Sequence, residues 1–186
     1  MRHDLKLFLR EMFRKPGEVV ALAPSSAELA RAMTRDIGPA TGRVAELGGG
    51  TGAFTRALLA RGVAPADLTV FELNPEFVAH LRRAHPGVTV VEAGAETVAD
   101  HCAPGLGATV SGLPLLSMPR DVQRAIVGGA FSVMRPGGIF VQFTYGPRPP
   151  LAEALRVELG LSVTKGRKIW GNLPPARVYT YTHRPQ

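Results

Sequence analysis

The sequence predicts a doubly wound α/β domain, in which helices cover both faces of a mostly parallel sheet. Short apolar runs alternate along the chain with segments of helical spacing, as crossover connections between parallel strands require. A glycine-rich loop follows the first apolar run at residues 44–52, and an acidic residue, Glu72, ends the second run. In such folds, ligands bind at the carboxyl ends of the strands, where both features fall.

The predicted elements follow in order along the chain. The helices between the strands carry apolar residues three or four positions apart, with Phe54, Phe77 and Val122 as their first apolar members, and Pro75 suits a first helical turn. The first five strands are expected near residues 43–47, 67–72, 87–92, 107–112 and 137–144.

The two ends of the domain are also patterned. A short helix is expected after Pro150, then two strand-like runs, 161–170 and 177–182, with prolines confined to their connection. Residues 25–28, Ser-Ser-Ala-Glu, form a capping-box pattern that predicts a helix before the first strand. A further hypothesis is that this helix covers the bound ligand as a lid.

Composition indicates one globular domain. The chain has 186 residues, of which 45% are hydrophobic and 20% charged. The single cysteine, Cys102, excludes an internal disulfide, and the five histidines show no metal-ligand spacing, so no metal is expected. Apolar stretches are far shorter than the ~20 residues of a membrane span. The net charge of +7 suits nucleic acid or an anionic membrane and does not separate them.

The loop at residues 44–52 predicts a nucleoside site. Gly48, Gly50 and Gly52 let backbone N–H groups approach a ligand, and Glu72 suits the hydroxyls of a ribose. The spacing is not that of a dinucleotide fingerprint, and no P-loop lysine follows. Glu46-x-Gly-x-Gly-x-Gly instead resembles the first motif of class I S-adenosylmethionine methyltransferases. A carboxylate at Glu46 would then meet the positive groups of the cofactor.

The N-terminus differs from the rest of the chain. Six apolar side chains fall within an arc of roughly 140° on a helical wheel: Met1, Leu5, Phe8, Leu9, Met12 and Phe13. Five basic and two acidic side chains occupy residues 1–15, and Pro16 ends the segment. Such a helix lies in a membrane interface with its cations near anionic headgroups. The residues expected to contact the membrane are Leu5, Lys6, Phe8, Leu9, Arg10, Met12, Phe13, Arg14 and Lys15.

These patterns divide the chain into a membrane-binding helix, residues 1–16, and a single domain, residues 17–186. Packing of the helix on the core of its own domain is an equally simple alternative. A cleaved transit peptide is disfavoured because Asp4 and Glu11 are out of place in one.

The segment after the fourth strand bears on the methyl acceptor. Enzymes that methylate adenine carry motifs similar to Asn-Pro-Pro-Tyr here, and the final aromatic ring stacks on a flipped base. The corresponding residue of this chain is Leu115, in Ser111-Gly-Leu-Pro-Leu-Leu. A nucleobase is therefore disfavoured, and an aliphatic wall suits a lipid chain.

Five blocks of sequence together resemble one family. They are residues 46–52, 111–116, 134–138, 142–148 and 170–177. Over nearly its whole length the chain is similar to bacterial phospholipid N-methyltransferases of the soluble, rhodobacterial type. The first block is common to many methyltransferases, whereas 111–114 and 142–148 are much more specific.

The resemblance implies a seven-stranded, Rossmann-like sheet with an antiparallel last strand. It implies that phosphatidylethanolamine is methylated through mono- and dimethyl intermediates to phosphatidylcholine, with S-adenosylmethionine as cofactor and S-adenosylhomocysteine as product. A cytoplasmic monomer bound peripherally to the inner face of the cytoplasmic membrane is expected, with anionic phospholipid as its partner and no nucleic acid.

The same resemblance assigns the cofactor site. Many class I enzymes have an acid directly after the third-strand glycine, but Gly94 is followed here by Ala95, so Glu96 or a backbone group is expected to replace it. The expected cofactor-binding residues are Glu46, Gly48, Gly50, Thr51, Gly52, Glu72, Leu73, Ala95, Glu96 and Ser111.

The chemistry needs little more than positioning, because a sulfonium already activates the methyl group. The lipid ammonium must lose a proton to a nearby acceptor. The Tyr145 hydroxyl is the preferred candidate. The Ser111 hydroxyl and the carbonyls of Gly112 and Leu113 remain alternatives.

The lipid itself is expected to meet Leu113, Pro114 and Leu115. The rings of Tyr145 and Trp170 would hold its methylated ammonium through cation–π contacts. Tyr145 as a core residue is the alternative. A guanidinium matches phosphate oxygens, for which Arg148 is preferred and Arg177 comes second, although arginines are usually only solvated surface residues.

Two other functions stay open. An rRNA adenine dimethyltransferase shares the first motif and the basic charge, but it would have an aromatic ring at residue 115 and a further helical domain. A non-catalytic lipid- or cofactor-binding module would bind without turnover. Asn172-Leu-Pro-Pro resembles the adenine motif, but it follows the sixth strand and is interpreted as a border of the substrate entrance.

Overall fold

The computed structural model describes residues 26–172 and 174–184. The predicted membrane-binding helix lies outside them. The strands are β1 (Val44–Leu47), β2 (Leu68–Glu72), β3 (Thr89–Glu92), β4 (Leu106–Ser111), β5 (Met134–Thr144), β6 (Leu161–Ile169) and β7 (Ala176–His183). The helices are α1 (Ala27–Met33), α2 (Ala53–Ala60), α3 (Pro75–Ala84), α4 (Val98–His101), α5 (Arg120–Ser132) and α6 (Glu153–Glu158).

The strands form a seven-stranded sheet in the order β3-β2-β1-β4-β5-β7-β6. β1 to β5 are parallel, and β7 is antiparallel to β5 and β6. The predicted doubly wound fold with an antiparallel last strand is confirmed. The strand order reverses between β1 and β4, and a crevice forms at the carboxyl edge of such a switch point.

The helix starts have local causes. Asn74 caps α3 by accepting from the N–H of Glu76, and Pro75 takes the first position, where its missing N–H costs nothing. α1 begins after Ser26, whose hydroxyl accepts from the N–H of Leu29 at 3.1 Å. The predicted helix before β1 is therefore present, and Ser26 is its N-cap.

Each face of the sheet has its own apolar core, because side chains alternate along a strand. Val44, Val70 and Val141 point to the face covered by α1, α2 and α3. Leu47 and Phe140 point to the face covered by α4, α5 and α6. This alternation decides which side chains of β1 reach the ligand edge.

Most strand boundaries lie within two residues of prediction, and the larger differences are the start of β5 and the presence of α4. β5 begins at Met134 instead of residue 137, because a register shift pairs Leu106 with Met134 but Ala108 with Ile139. α4 was not predicted, since four residues are too few to show helical periodicity. Within the described residues, no helix is long and apolar enough to cross a membrane. The same part of the chain holds no cluster of three metal-ligating side chains.

Candidate functional site

Two adjoining cavities lie at the carboxyl edge of the sheet. Both are open to solvent, and their volumes, with that solvent included, are about 270 Å³ for the first and about 650 Å³ for the second. The first cavity is lined by Gly48, Phe71, Glu72, Leu73, Ala93, Ala95, Leu113 and Ile126. The second is lined by Gly112, Leu113, Pro114, Leu115, Leu116, Ser117, Phe143, Thr144, Tyr145 and Gly146.

Leu113 lines both cavities and is the wall between them. A Cβ placed on Gly48 would lie 2.8 Å from Leu113 Cδ2, so the leucine side chain would have to shift to admit it. Gly48 also has a φ of 79°, which other residues rarely adopt. A glycine at this position is what allows the β1 loop to approach the wall.

Glu72 fastens the glycine loop to the end of β2. Its Oε2 accepts from the N–H of Gly50, and its Oε1 accepts from the N–H groups of Leu73 and Asn74, each at 2.8 Å. An ionised carboxylate offers about four acceptor positions, so roughly one remains for a ligand hydroxyl. Glu72 also lines the first cavity, and its predicted role at a ribose therefore requires a single direct hydrogen bond.

Glu46 does not reach the first cavity, contrary to the predicted contact with the cofactor. It shares the face of Val44 and is fully buried beneath the loop, where the Thr55 hydroxyl donates to its Oε2 at 2.6 Å. Burial raises the pKa of Glu46 to about 8, although hydrogen bonds from Thr55 lower it. Near pH 7 this side chain is a neutral acid that holds α2, not a charge offered to a ligand.

The remaining predicted cofactor residues occupy different places. Ala95 lines the first cavity, as does Leu73. Thr51 is exposed at the loop tip, where its carbonyl accepts from Arg56 at 2.8 Å. Gly52 precedes α2 with a φ of 77°.

Glu96, predicted to replace the missing acid, is not among the residues that line the first cavity. Its carboxylate folds back over Gly94. Oε2 is buried there without a hydrogen-bond partner among the described residues. The predicted contact between Glu96 and an adenine amino group would therefore require the side chain to rotate.

The four candidate proton acceptors are not equivalent. The Leu113 carbonyl already accepts from Gln142 Nε2 and from the N–H of Leu115, both at 2.9 Å. The Ser111 hydroxyl is fully buried and is 3.4 Å from the N–H of Leu113. Gly112 and Tyr145 line the second cavity; within the described residues no donor reaches the Gly112 carbonyl, whereas the Asn172 side chain interacts with the Tyr145 hydroxyl.

Tyr145 follows β5 and is half-buried, edge-on to Phe143 with ring centroids 5.5 Å apart. Burial raises the pKa of its hydroxyl above the usual range, while the side chain of Asn172 lowers it. The hydroxyl is therefore neutral near pH 7 and would accept a hydrogen bond through a lone pair, not as a phenolate.

Asn172 was not predicted as a site residue. It is 3% exposed, its Oδ1 accepts from the N–H of Ser26 at 3.1 Å, and its Nδ2 donates to the Pro174 carbonyl at 2.9 Å. Its amide thus joins the start of α1 to the Tyr145 edge. α1 itself packs on the sheet and is absent from the lining of both cavities, so the predicted lid over the ligand stays a prediction.

Trp170 lies outside the second cavity, and the predicted cation–π role is not supported. Its ring is 70% exposed, and the ammonium of Lys168 lies 3.8 Å from its centroid. Arg177 Nη1 donates to the Gly166 carbonyl at 2.9 Å, so its guanidinium is held at β6. Arg148 is exposed two residues beyond Gly146 on the cavity rim and is the better placed of the two arginines.

Comparisons with known proteins match a family profile and a curated relative. The profile of the family described as Methyltransferase domain matches residues 44–138. The ornithine lipid N-methyltransferase of Singulisphaera acidiphila is 32% identical over 152 residues, which cover 77% of this chain and 79% of that protein.

Solved structures share the architecture at low sequence identity. A 1,6-didemethyltoxoflavin-N1-methyltransferase from Burkholderia thailandensis, with bound S-adenosylhomocysteine, has a TM-score of 0.69 and 16% identity over 98% of this chain and 91% of that chain. A TehB-like methyltransferase from Corynebacterium glutamicum has a TM-score of 0.64 and 13% identity over 99% and 100%. At these identities the likeness shows the fold alone.

Proposed function

This chain belongs to the methyltransferase domain family of class I S-adenosylmethionine-dependent enzymes, and we propose that it methylates the amine of a membrane lipid. One observation carries the proposal. The two cavities share Leu113 in their linings, so ligands in both would lie side by side at the edge of this side chain. A methyl transfer needs the amine and the methyl group in direct, aligned contact.

S-adenosylmethionine is the cofactor, and the chemistry of the residues that line the first cavity suits its nucleoside. Glu72 has one acceptor position for a ribose hydroxyl, and Phe71, Leu73 and Ala95 supply an apolar surface for a base. When bound, the cofactor supplies a methyl group activated by its sulfonium. The chain itself must orient the amine, take its proton and exclude water.

The second cavity would hold the lipid amine. Its lining pairs aliphatic side chains with two oxygen acceptors, the carbonyl of Gly112 and the hydroxyl of Tyr145. Both oxygens can accept a hydrogen bond from the ammonium, and the Tyr145 hydroxyl can relay the proton to solvent at the open mouth of the cavity, which leaves the neutral amine to attack the methyl group. The Tyr145 ring would attract the cation that remains after each methylation.

A lipid is favoured over a nucleobase by the wall of this cavity. Leu115 stands where a stacking ring would be needed and is fully buried, and its neighbour Leu116 is 56% exposed on the rim. We propose phosphatidylethanolamine as the substrate, with Arg148 near its phosphate. Ornithine lipid is the second candidate, because a relative 32% identical to this chain carries that activity in its name.

The membrane itself is the proposed partner. Residues 1–15, with five basic side chains and an apolar face, would bind an anionic surface on the cytoplasmic side. Phe8→Asp with Phe13→Asp should release the protein from anionic vesicles in flotation assays without lowering its melting temperature. Unchanged flotation with a depressed melting temperature would show that the helix packs on the core instead.

The substrate choice is tested by offering labelled S-adenosylmethionine with liposomes that contain one amine lipid at a time. Phosphatidylcholine liposomes, which have no methylatable amine, are the control. We expect faster labelling of phosphatidylethanolamine than of ornithine lipid. The reverse order would replace the first candidate by the second, and labelling of neither would reject the lipid proposal.

A further inference from the structure

Residues 112–118, which follow β4 and form one wall of the second cavity, are here termed the acceptor segment. A buried glutamine on β5 holds its start. Gln142 Nε2 donates to the carbonyls of Leu113 and Phe143, both at 2.9 Å, and the side chain is fully buried. Both amide protons of Gln142 are therefore donated to backbone carbonyls, and one of these carbonyls belongs to Leu113, which lines the cavities.

A second buried glutamine holds the end of the same segment. Gln123, on α5 and 6% exposed, donates from Nε2 to the carbonyl of Leu115 at 2.8 Å and to that of Met118 at 3.0 Å. The two glutamines lie on different elements of the fold, β5 and α5, yet both side-chain amides donate to backbone carbonyls of the acceptor segment.

The other end of each amide is unpaired. Oε1 of Gln142 and Oε1 of Gln123 are buried without a hydrogen-bond partner among the described residues. A rotated amide would set its oxygen against backbone carbonyls, so the hydrogen bonds fix the orientation of both groups. Each glutamine therefore leaves one buried oxygen without a donor while it donates to two backbone carbonyls, and both pairs of carbonyls include one in residues 112–118.

We infer that Gln142 and Gln123 are positioning residues, which hold the acceptor segment in place so that the amine nitrogen lies in line with the methyl group of the cofactor. The inference rests on the proposed function and assigns the two glutamines different roles in it. Gln142 holds Leu113, which lines both cavities. Gln123 holds Leu115, which lines only the second cavity, and Met118, which lines neither. Loss of Gln142 should disturb the reacting centre, and loss of Gln123 should disturb lipid binding.

Methionine variants separate the two roles, since methionine has a similar volume and no hydrogen bonds to offer. We expect Gln142→Met to lower kcat by roughly 10- to 100-fold, the cost of a small misplacement of reacting groups, with little change in the lipid KM. Gln123→Met should raise the lipid KM several-fold and leave kcat nearly unchanged. Each variant is the matched control of the other, because both remove the same buried amide. Equal changes in kcat and KM for the two variants would overturn the assignment of different roles.

Without substrate, hydrogen exchange tests whether the glutamines hold the acceptor segment, so its result does not depend on which lipid the enzyme accepts. The amides of Leu115, Ser117 and Met118 all donate within the acceptor segment. Gln142→Met should speed exchange at Leu115, and Gln123→Met should speed it at Met118, since local opening becomes easier. Unchanged exchange in both variants would overturn the inference even if the wild-type enzyme methylates lipids. Faster exchange with no lipid labelled would preserve the positioning role of the glutamines and reject the proposed substrate.

Discussion

Glu46 provides a test of how the glycine loop is supported, through the pH dependence of stability. The carboxyl group is fully buried, and its pKa in the folded protein is about 8 instead of the usual 4.5. An acid whose folded pKa is raised stabilises the fold fully below its unfolded pKa. That contribution is lost progressively as the pH rises from about 4.5 to about 8, because the unfolded chain releases the proton first.

Glu46→Gln removes this titration while keeping an acceptor for the Thr55 hydroxyl. One pH unit within the window corresponds to about 1.4 kcal/mol, and the wild-type protein should lose about 2 kcal/mol relative to the variant between about pH 6 and pH 8. For a chain of this length, that corresponds to a relative change in melting temperature of roughly 4–8 °C.

The assay is a pair of melting curves at each pH, compared by difference, so that every other titrating group cancels. Glu92→Gln, at an exposed position at the end of β3, removes one glutamate equally and is the matched control. We expect the wild type to be more stable than Glu46→Gln at acid pH and to lose this advantage as the pH rises. Parallel curves for the two proteins across the range would refute the buried neutral acid.

Three further substitutions test the site itself. Glu72→Ala should weaken S-adenosylmethionine binding about tenfold or more, since the glycine loop loses its anchor and the ribose its acceptor; calorimetry that gives wild-type affinity would contradict this. Tyr145→Phe should keep cofactor affinity and lower kcat in a methylation assay, and an unchanged kcat would leave a role only for the ring. Arg148→Ala should raise KM for phosphatidylethanolamine several-fold, whereas Arg177→Ala, whose guanidinium is held at β6, is the control and should have a smaller effect. Equal changes in KM for the two arginine variants would contradict the proposed contact between Arg148 and the lipid phosphate.

The fold was predictable because its signals are local. Apolar runs of strand length, a proline at the first turn of α3 and a glycine loop after β1 each depend on a few neighbouring residues. Half of the residues that line the second cavity were predicted for the same reason, since Leu113, Pro114 and Leu115 follow a strand that had been located correctly.

Two properties of the side chains were not predictable: the face of the sheet to which each one points, and the neighbouring group that it already contacts. Glu46 precedes the loop in sequence, but strand alternation turns it beneath the sheet edge and away from the ligand. Trp170 follows β6 at the carboxyl edge of the sheet, as predicted, but the ammonium of Lys168 already lies over its ring. Gln123 and Gln142 were missed because their role depends on carbonyls eight and 29 residues away. The one available signal was a polar residue in an otherwise apolar strand or helix face.

The class of methyl acceptor is the central claim and can be measured directly. S-adenosylmethionine labelled in its methyl group is offered with phosphatidylethanolamine liposomes and ribosomal RNA in one reaction, and the products are separated and identified. We predict that the label enters the headgroup nitrogen of the lipid and that the RNA stays unlabelled. Label in the RNA alone, or bound cofactor with no labelled product, would contradict the account.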